Sequence, residues 1–171
     1  KPTSGDIKIN GVSVNDFCRD DYYRLFSPVF QDVQTAFFSL AETVAGTLGG
    51  EVDKRRAEEC MRKAGLGTKI DSLPDGIDTK LDKQVNKNGI ELSGGEAQKL
   101  MMARALYKDA PVLVLDEPTA ALDPIAENEI YLHYRDMTAG KTSLFISHRL
   151  ASTQFCDRVL FLSGGKITEE G

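Results

Sequence analysis

Two short, continuously apolar segments separated by a helix-length stretch constrain the fold of this chain most strongly. The segments are Val-Leu-Val-Leu at 112–115 and Ser-Leu-Phe-Ile at 143–146, and the stretch from about Ile125 to Met137 has helical character. Strands that are apolar on both faces suit a sheet covered on both sides, and parallel strands need a long crossover connection such as a helix. The pattern therefore predicts an α/β protein with a buried parallel sheet.

Two predicted hairpins and one predicted amphipathic helix flank this pattern. The segment 7–12 alternates apolar and polar residues and turns at an Asn-Gly pair, which is typical of a half-exposed hairpin. From about Leu40 to Ala64 the spacing becomes helical, with apolar side chains recurring on one face. The segments 158–162 and 166–169, joined by Ser-Gly-Gly, predict a C-terminal antiparallel hairpin.

The composition narrows the class of protein. The chain has 171 residues with 21 basic and 26 acidic side chains, a net charge of −5, and 41% hydrophobic residues, as in one ordinary globular domain. Because an acidic chain without a basic stripe is a poor nucleic-acid binder, we expect no nucleic-acid partner. Three widely spaced cysteines predict neither a disulfide framework nor a metal site. The apolar runs are strand-sized, so no membrane-spanning helix is predicted.

Two adjacent carboxylates, Asp116 and Glu117, directly follow the first apolar strand. Open α/β sheets bind ligands at the carboxyl ends of their strands, so this position suits a metal-binding or catalytic role. Asp116 is suited to hold Mg²⁺, and Glu117 is suited to polarise an attacking water as a general base. The alternative is a strand that stops where charge begins, with Asp-Glu-Pro as a solvated turn, and this segment alone does not decide between the two.

A second motif, Leu-Ser-Gly-Gly-Glu, precedes a run of strong helix formers. Ser93 and Glu96 have the spacing of a capping box, with Ser93 as the N-cap. Gly94 and Gly95 lack Cβ atoms, so an anion could approach the N–H groups at the positive end of the helix. By itself, the motif is better interpreted as a helix start whose glycines serve packing. The same tripeptide at 163–165 lies between strands and is interpreted as a turn.

Three further side chains are candidates by their position. Gln31 precedes the helical insert and could offer its carbonyl to a cation, although a plain surface glutamine is the commoner interpretation. His148 follows the second apolar strand, where an imidazole could donate to a phosphate oxygen or orient a water. Asp123, followed by Pro124, is a well-formed helix start. His133 lies within the predicted helix and is interpreted as a structural or surface residue.

The order and spacing of these motifs resemble the nucleotide-binding domain of ATP-binding cassette (ABC) proteins, over essentially the whole chain. The matching segments are Gln31, Leu-Ser-Gly-Gly-Glu at 92–96, Leu-Val-Leu-Asp-Glu-Pro-Thr ending at Thr119, Ala-Leu-Asp at 121–123 and Ser-His at 147–148. Each motif alone is weak evidence for the family, whereas their succession in this order and spacing is specific to it.

The resemblance implies a role for each candidate residue. Asp116 matches the Walker B aspartate that holds Mg²⁺, Glu117 the catalytic glutamate and His148 the switch histidine. Gln31 matches the Q-loop glutamine, which contacts both metal and nucleotide. The other implied nucleotide-binding residues belong to the signature motif and the D-loop: Ser93, Gly94, Gly95, Glu96 and Asp123. The implied cofactors are ATP and Mg²⁺.

The resemblance also implies the architecture. It is α/β, with a P-loop NTPase-like parallel sheet core that is incomplete, an inserted helical subdomain and a C-terminal antiparallel hairpin. The chain then divides into 1–31, the N-terminal β remnant and Q-loop; 32–91, the helical subdomain; and 92–171, the signature helix and the ATPase core. Phe37-Phe38 and the Leu-Pro-Asp-Gly-Ile-Asp-Thr segment at 73–79 resemble the exporter-type branch of the family.

The family's function and assembly are implied as well. Such a domain binds and hydrolyses ATP to drive transport across a membrane. Two copies face head to tail around two ATP molecules, and the helical subdomain meets the coupling helices of a transmembrane domain. The implied location is the cytoplasmic face of the cell membrane.

One departure from the family bears on activity. The phosphate-binding P-loop, G-x-x-x-x-G-K-[ST], is absent, and residues 1–5 resemble the stretch that normally follows its helix. We therefore expect a chain that begins after the P-loop and has little ATPase activity alone. Smaller departures are Glu96 where Gln is usual, Ala120-Ala121 where Ser is common, and Gln84 where exporters often have Glu. The alternative function is an ABC-like regulatory or non-transport module that binds an intact cassette without hydrolysing ATP itself.

Overall fold

The computed structural model of this chain describes residues 2–30, 38–47, 50–83, 85–119, 124–149, 153–154 and 156–171. The strands within these residues are β1 (Lys8–Ile9), β2 (Val12–Ser13), β3 (Phe26–Val29), β4 (Val112–Asp116), β5 (Thr142–Ile146), β6 (Leu160–Ser163) and β7 (Lys166–Glu170). The helices are α1 (Arg19–Arg24), α2 (Leu40–Ala45), α3 (Lys54–Lys63), α4 (Gly67–Asp71), a 3₁₀ helix (Gly76–Asp78), α5 (Gly94–Lys108) and α6 (Pro124–Thr138).

A parallel sheet forms the centre of the described fold. Its three strands lie in the order β3, β4, β5, and β4 pairs in parallel with both neighbours. Helix α6 connects β4 to β5, which is the crossover that the apolar segments predict. The predicted α/β architecture, with a parallel sheet and a C-terminal hairpin, is confirmed.

Burial differs between the two apolar strands. In β4, Leu115 is completely buried, whereas in β5 Leu144 is 54% and Ile146 is 44% exposed. The prediction that the second strand is buried on both faces is therefore wrong. β5 is an edge strand of this sheet, and it meets α6 through Phe145, whose ring centroid lies 6.0 Å from that of Tyr134. An apolar run alone does not distinguish a central strand from an edge strand.

A helical layer packs around α5, which contacts α2, α3 and β3. The predicted helical segment 40–64 is in fact two helices. α2 ends at Gly46, whose φ of 68° is the left-handed value that a glycine cap supplies, and α3 begins after the N-cap Asp53. The amphipathic face predicted for the second of these is confirmed. The buried apolar side chains of this layer include Leu40, Val44, Ala57, Met61, Leu100 and Met102.

Both predicted hairpins are present. β1 pairs with β2, and β6 with β7, each in antiparallel fashion. Gly164 and Gly165 have φ of 57° and 74°, as a two-residue hairpin turn requires, so the interpretation of this Ser-Gly-Gly as a turn is confirmed. Among the described residues, none of the helices combines the length and apolar character needed to cross a membrane. The division of the chain at residues 31 and 91 stays a prediction.

Candidate functional site

The carboxyl ends of β4 and β5 bring the predicted catalytic residues together. Asp116, the last residue of β4, pairs in register with Ile146, the last residue of β5. The backbone N–H of Glu117 donates a 2.9 Å hydrogen bond to the carbonyl of Ile146, which extends the pairing by one residue. Because His148 follows Ile146 closely, the loops after the two strands leave the sheet side by side.

Glu117 and His148 form a direct pair at this edge. Nδ1 of His148 lies 3.2 Å from Oε1 of Glu117, and the two side chains are 66% and 30% exposed, respectively. A protonated Nδ1 donates a hydrogen bond to the carboxylate across this distance. Glu117 also has a φ of 43°, in the left-handed region that a non-glycine residue seldom adopts. Backbone strain of this kind is concentrated at functional sites, and here it coincides with the predicted general base.

Asp116 is half-buried at the end of β4. In the part of the chain that the structure describes, no group of three or more His, Cys, Asp or Glu side chains is arranged to hold a metal ion. Mg²⁺ usually keeps several waters and binds through one or two carboxylates together with substrate phosphates. The Asp116 carboxylate at this edge therefore fits Mg²⁺ that arrives with a nucleotide.

The Ser-Gly-Gly-Glu turn forms the N-terminus of α5. The Ser93 hydroxyl accepts a 3.3 Å hydrogen bond from the Glu96 N–H, and the Glu96 carboxylate accepts a 2.9 Å bond from the Ser93 N–H, which is the predicted capping box. Glu96 also pairs with Lys69 at 3.0 Å. Burial raises the pKa of Glu96, but its contacts with Ser93 and Lys69 outweigh burial and hold that pKa below the ordinary value. The Glu96 carboxylate is thus engaged by its own chain, whereas Gly94 is exposed.

The predicted site residues fall into two separate groups. Within the described residues, no hydrogen bond or ion pair joins the Ser93–Glu96 turn to Glu117 or His148. Gln31 and Asp123 lie outside the described residues, so their roles stay predictions.

Several side chains close in sequence to Glu117 or His148, or bonded to such residues, received no role from the sequence. Glu127 on α6 accepts hydrogen bonds from Thr119 at 3.1 Å and from Tyr131 at 2.7 Å, and its other carboxylate oxygen pairs with Arg149. The spacing of Glu127 and Tyr131 on one helix was the only local signal for this group. Thr119 and Arg149 are 8 and 22 residues away from Glu127, too far for a local pattern to reveal.

Comparison with known proteins shows the family of this chain. The family model described as ABC transporter matches residues 1–120. This chain belongs to the ABC transporter family. The match covers β3, the Ser93–Glu96 turn (the signature turn) and β4 with the two carboxylates at its end. The family resemblance drawn from the motifs is therefore confirmed.

Exporters are among the proteins most similar to this ABC chain. The ATP-dependent lipid A-core flippase of Burkholderia pseudomallei (strain 1710b) is 40% identical over 170 residues, covering 99% of this chain and 28% of that protein. The flippase of the same name from Ralstonia nicotianae is 39% identical over 173 residues, covering 100% of this chain and 28% of that protein.

A solved structure gives the same result. A bacterial Atm1-family ABC exporter with ATP bound matches with a TM-score of 0.85 and 29% identity, over 100% of this chain and 29% of that one. The predicted exporter-type nucleotide-binding domain is therefore confirmed. The chain spans less than a third of the length of these curated relatives, 28% in each case.

Proposed function

We propose that this ABC chain binds ATP with Mg²⁺ and hydrolyses it as part of an exporter, and that hydrolysis drives transport across a membrane. The observation that carries the proposal is the Glu117–His148 pair at the shared edge of β4 and β5, directly after Asp116. A general base, an imidazole and a metal-binding carboxylate at one sheet edge suit the attack of water on a terminal phosphate.

The side chains divide the chemistry between them. Asp116 is proposed to hold Mg²⁺, which when bound neutralises charge that develops on the phosphates. Glu117 orients the attacking water and accepts its proton, a role worth on the order of 10²–10⁴ in rate. His148 holds the Glu117 carboxylate through Nδ1 and assists at the phosphate. Gln31 and Asp123 are proposed to complete the site from the Q-loop and the D-loop.

The N-terminus of α5 is proposed to bind the nucleotide of a second cassette. The helix has 15 residues, and its Gly94 backbone is exposed next to the N-cap Ser93. Unpaired N–H groups and the positive end of the helix dipole favour a phosphate there. A head-to-tail dimer explains why this turn and the Glu117–His148 pair are not joined within one chain, since each site would take its signature turn from the partner.

A transmembrane domain is the second proposed partner. A cleft of about 200 Å³ lies between the end of β3 and α5. The residues that line it are Ser27, Pro28, Phe30, Met101, Arg104, Ala105 and Lys108. Phe30 is exposed and directly precedes Gln31 in the sequence, so this cleft is the proposed contact for a coupling helix. The proposed location is the cytoplasmic face of the membrane. Because relatives are named lipid A-core flippases, a lipid A-core molecule is the first transport substrate to test.

Glu117→Gln in the complete transporter tests the proposed function. The amide keeps the size of the side chain but cannot accept the proton of water, so the ATPase rate is expected to fall by about 10²–10⁴ while ATP binding is retained. Glu59→Gln is the matched control, because it makes the same change in an exposed ion pair with Arg55 on α3. An ATPase rate near that of the wild type in Glu117→Gln would overturn the assignment.

A second candidate function is a module that pairs with an intact cassette without hydrolysing ATP itself. The exposed Gly94 backbone at the N-terminus of α5 favours it, because this turn could meet a nucleotide held by an intact cassette whether or not this chain hydrolyses ATP itself. A polypeptide of these residues alone is expected to show little ATPase activity. The test mixes this chain with an intact cassette and measures the ATPase rate of that cassette. If the rate depends on Ser93 of this chain, the second candidate gains support.

A further inference from the structure

The Glu127 carboxylate connects the two loops that carry the reactive pair. Its Oε1 accepts hydrogen bonds from the Thr119 hydroxyl and the Tyr131 phenol, and its Oε2 accepts from Nη1 of Arg149. Thr119 belongs to the loop after β4, and Arg149 belongs to the segment after β5. Each loop is thereby attached to α6 through a different oxygen of the same carboxylate.

Burial and charge make this connection a strong one. The side chain of Glu127 is 12% and that of Arg149 31% exposed, while Thr119 and Tyr131 are buried. Burial raises the pKa of Glu127, but the hydrogen bonds from Tyr131, Thr119 and Arg149 outweigh burial and hold that pKa below its ordinary value. The carboxylate is thus ionised at neutral pH, and hydrogen bonds to a charged group in a partly buried site are stronger than neutral ones.

The reactive pair needs support from outside itself. Glu117 and His148 are joined by one contact, His148 is largely exposed, and Glu117 holds a strained backbone conformation. Thr119 lies two residues after Glu117, and Arg149 is adjacent to His148. A shift of either loop against the other would therefore lengthen the Glu117–His148 contact. A misplacement of about 1 Å at a catalytic group can cost on the order of 10² in rate.

We propose that Glu127 and Arg149 are positioning residues that keep Glu117 and His148 in register for ATP hydrolysis. The role rests on the proposed function, because it acts through the general base. Neither residue needs to touch the nucleotide. The two residues are expected to act together, because the link between the loops through Glu127 needs both its hydrogen bond from Thr119 and its ion pair with Arg149.

A double-mutant cycle in the complete transporter tests this proposal. Glu127→Gln and Arg149→Gln are each expected to lower kcat for ATP about 10- to 100-fold with KM for ATP changed less than about twofold. The double variant is expected to be no slower than the slower single variant, because the two side chains form one unit. Arg149→Lys keeps the charge and is expected to recover part of the lost rate.

A second readout does not depend on hydrolysis. Backbone amide exchange in segments 117–119 and 147–149 is expected to be faster in Glu127→Gln than in the wild type, with exchange in α3 unchanged. Glu58→Gln is the matched control, because it removes a carboxylate from an ion pair with Arg62 on α3, at 2.8 Å and far from both loops in sequence. The control is expected to match the wild type in kcat and in loop exchange.

The outcomes separate this proposal from the proposed function. ATPase activity that survives Glu117→Gln overturns the proposed function. Activity that is lost in Glu117→Gln but retained in both Glu127→Gln and Arg149→Gln overturns only the positioning role. Unchanged loop exchange, additive losses in the double variant, or a loss of ATP affinity equal to the loss of rate would also overturn the positioning role.

Discussion

Nε2 of Gln98 on α5 donates a 3.2 Å hydrogen bond to the hydroxyl of Tyr134 on α6. Both side chains are buried, and burial raises the pKa of Tyr134 far above its ordinary value, so the phenol is neutral at physiological pH. This bond joins the helix that begins at the signature turn to the helix that precedes β5. The Ser93–Glu96 turn and the Glu117–His148 pair, which share no hydrogen bond or ion pair among the described residues, are thus connected through the core.

Tyr134→Phe is expected to destabilise the chain by about 1–3 kcal/mol, because it leaves the buried amide of Gln98 without this partner. Urea unfolding followed by circular dichroism measures the change. Gln98→Leu combined with Tyr134→Phe removes both polar groups and is expected to cost less than the sum of the two single variants. Strictly additive costs would show that the two side chains do not depend on each other.

Acid is expected to weaken the start of α5 through Glu96. Because the folded chain lowers the pKa of Glu96 from its ordinary 4.5, this carboxylate stabilises the fold above that pH and loses its contribution as the pH falls through the lowered pKa. Glu96→Gln keeps a capping side chain but loses the ion pair with Lys69. The difference in the free energy of unfolding between wild type and variant is therefore expected to shrink between about pH 6 and pH 3. A difference that grows on acidification would contradict the prediction.

The core around α5 is expected to be sensitive to truncation. Leu100 is completely buried there, so Leu100→Ala is expected to lower the free energy of unfolding by about 2–5 kcal/mol. Leu162 on β6 is 67% exposed, and Leu162→Ala is expected to change the free energy of unfolding by less than about 0.5 kcal/mol. Thermal unfolding of the two variants measures the contrast, and equal losses would show that the core lies elsewhere.

The three cysteines are expected to differ in reactivity. Cys18 and Cys156 are exposed, whereas Cys60 is buried on α3. Burial raises the pKa of both the Cys60 and the Cys156 thiol, so the difference in access to solvent, and not the pKa, separates these two. A buried thiol with a raised pKa holds little thiolate, which is the reactive form. A colorimetric disulfide reagent is therefore expected to titrate two thiols quickly in the native chain and the third only after denaturant is added. The variant Cys60→Ser keeps Cys18 and Cys156, so both of its thiols are expected to react quickly. If only one of them did, the assignment of Cys60 as the slow thiol would be wrong.

Much of the fold follows from local pattern, and the exceptions have physical reasons. The apolar segments at 112–115 and 143–146 predicted a parallel sheet, because strand–helix–strand order leaves few other arrangements. The exposure of Leu144 and Ile146 on β5 does not follow from the apolar run itself, since whether a strand is covered depends on its neighbours. The end of α2 at Gly46 was not predicted either. Two amphipathic helices that face the same core repeat their apolar residues with the same spacing, so the pattern alone does not show where one helix ends.

The site shows the same limit. Glu117 and His148 were predicted because each directly follows an apolar strand, and parallel register then places them side by side. Glu127 was missed, because its partners come from two other segments and only tertiary structure brings them together.

The left-handed backbone at Glu117 lowers the stability of the fold at a residue that the proposed activity needs. A side chain at a φ of 43° carries strain of about 1–3 kcal/mol, which glycine would relieve at that position. Glycine, however, has no carboxylate to orient water. A search for more stable variants of this domain would therefore favour the loss of its proposed general base, and screens for stability need a separate assay for hydrolysis.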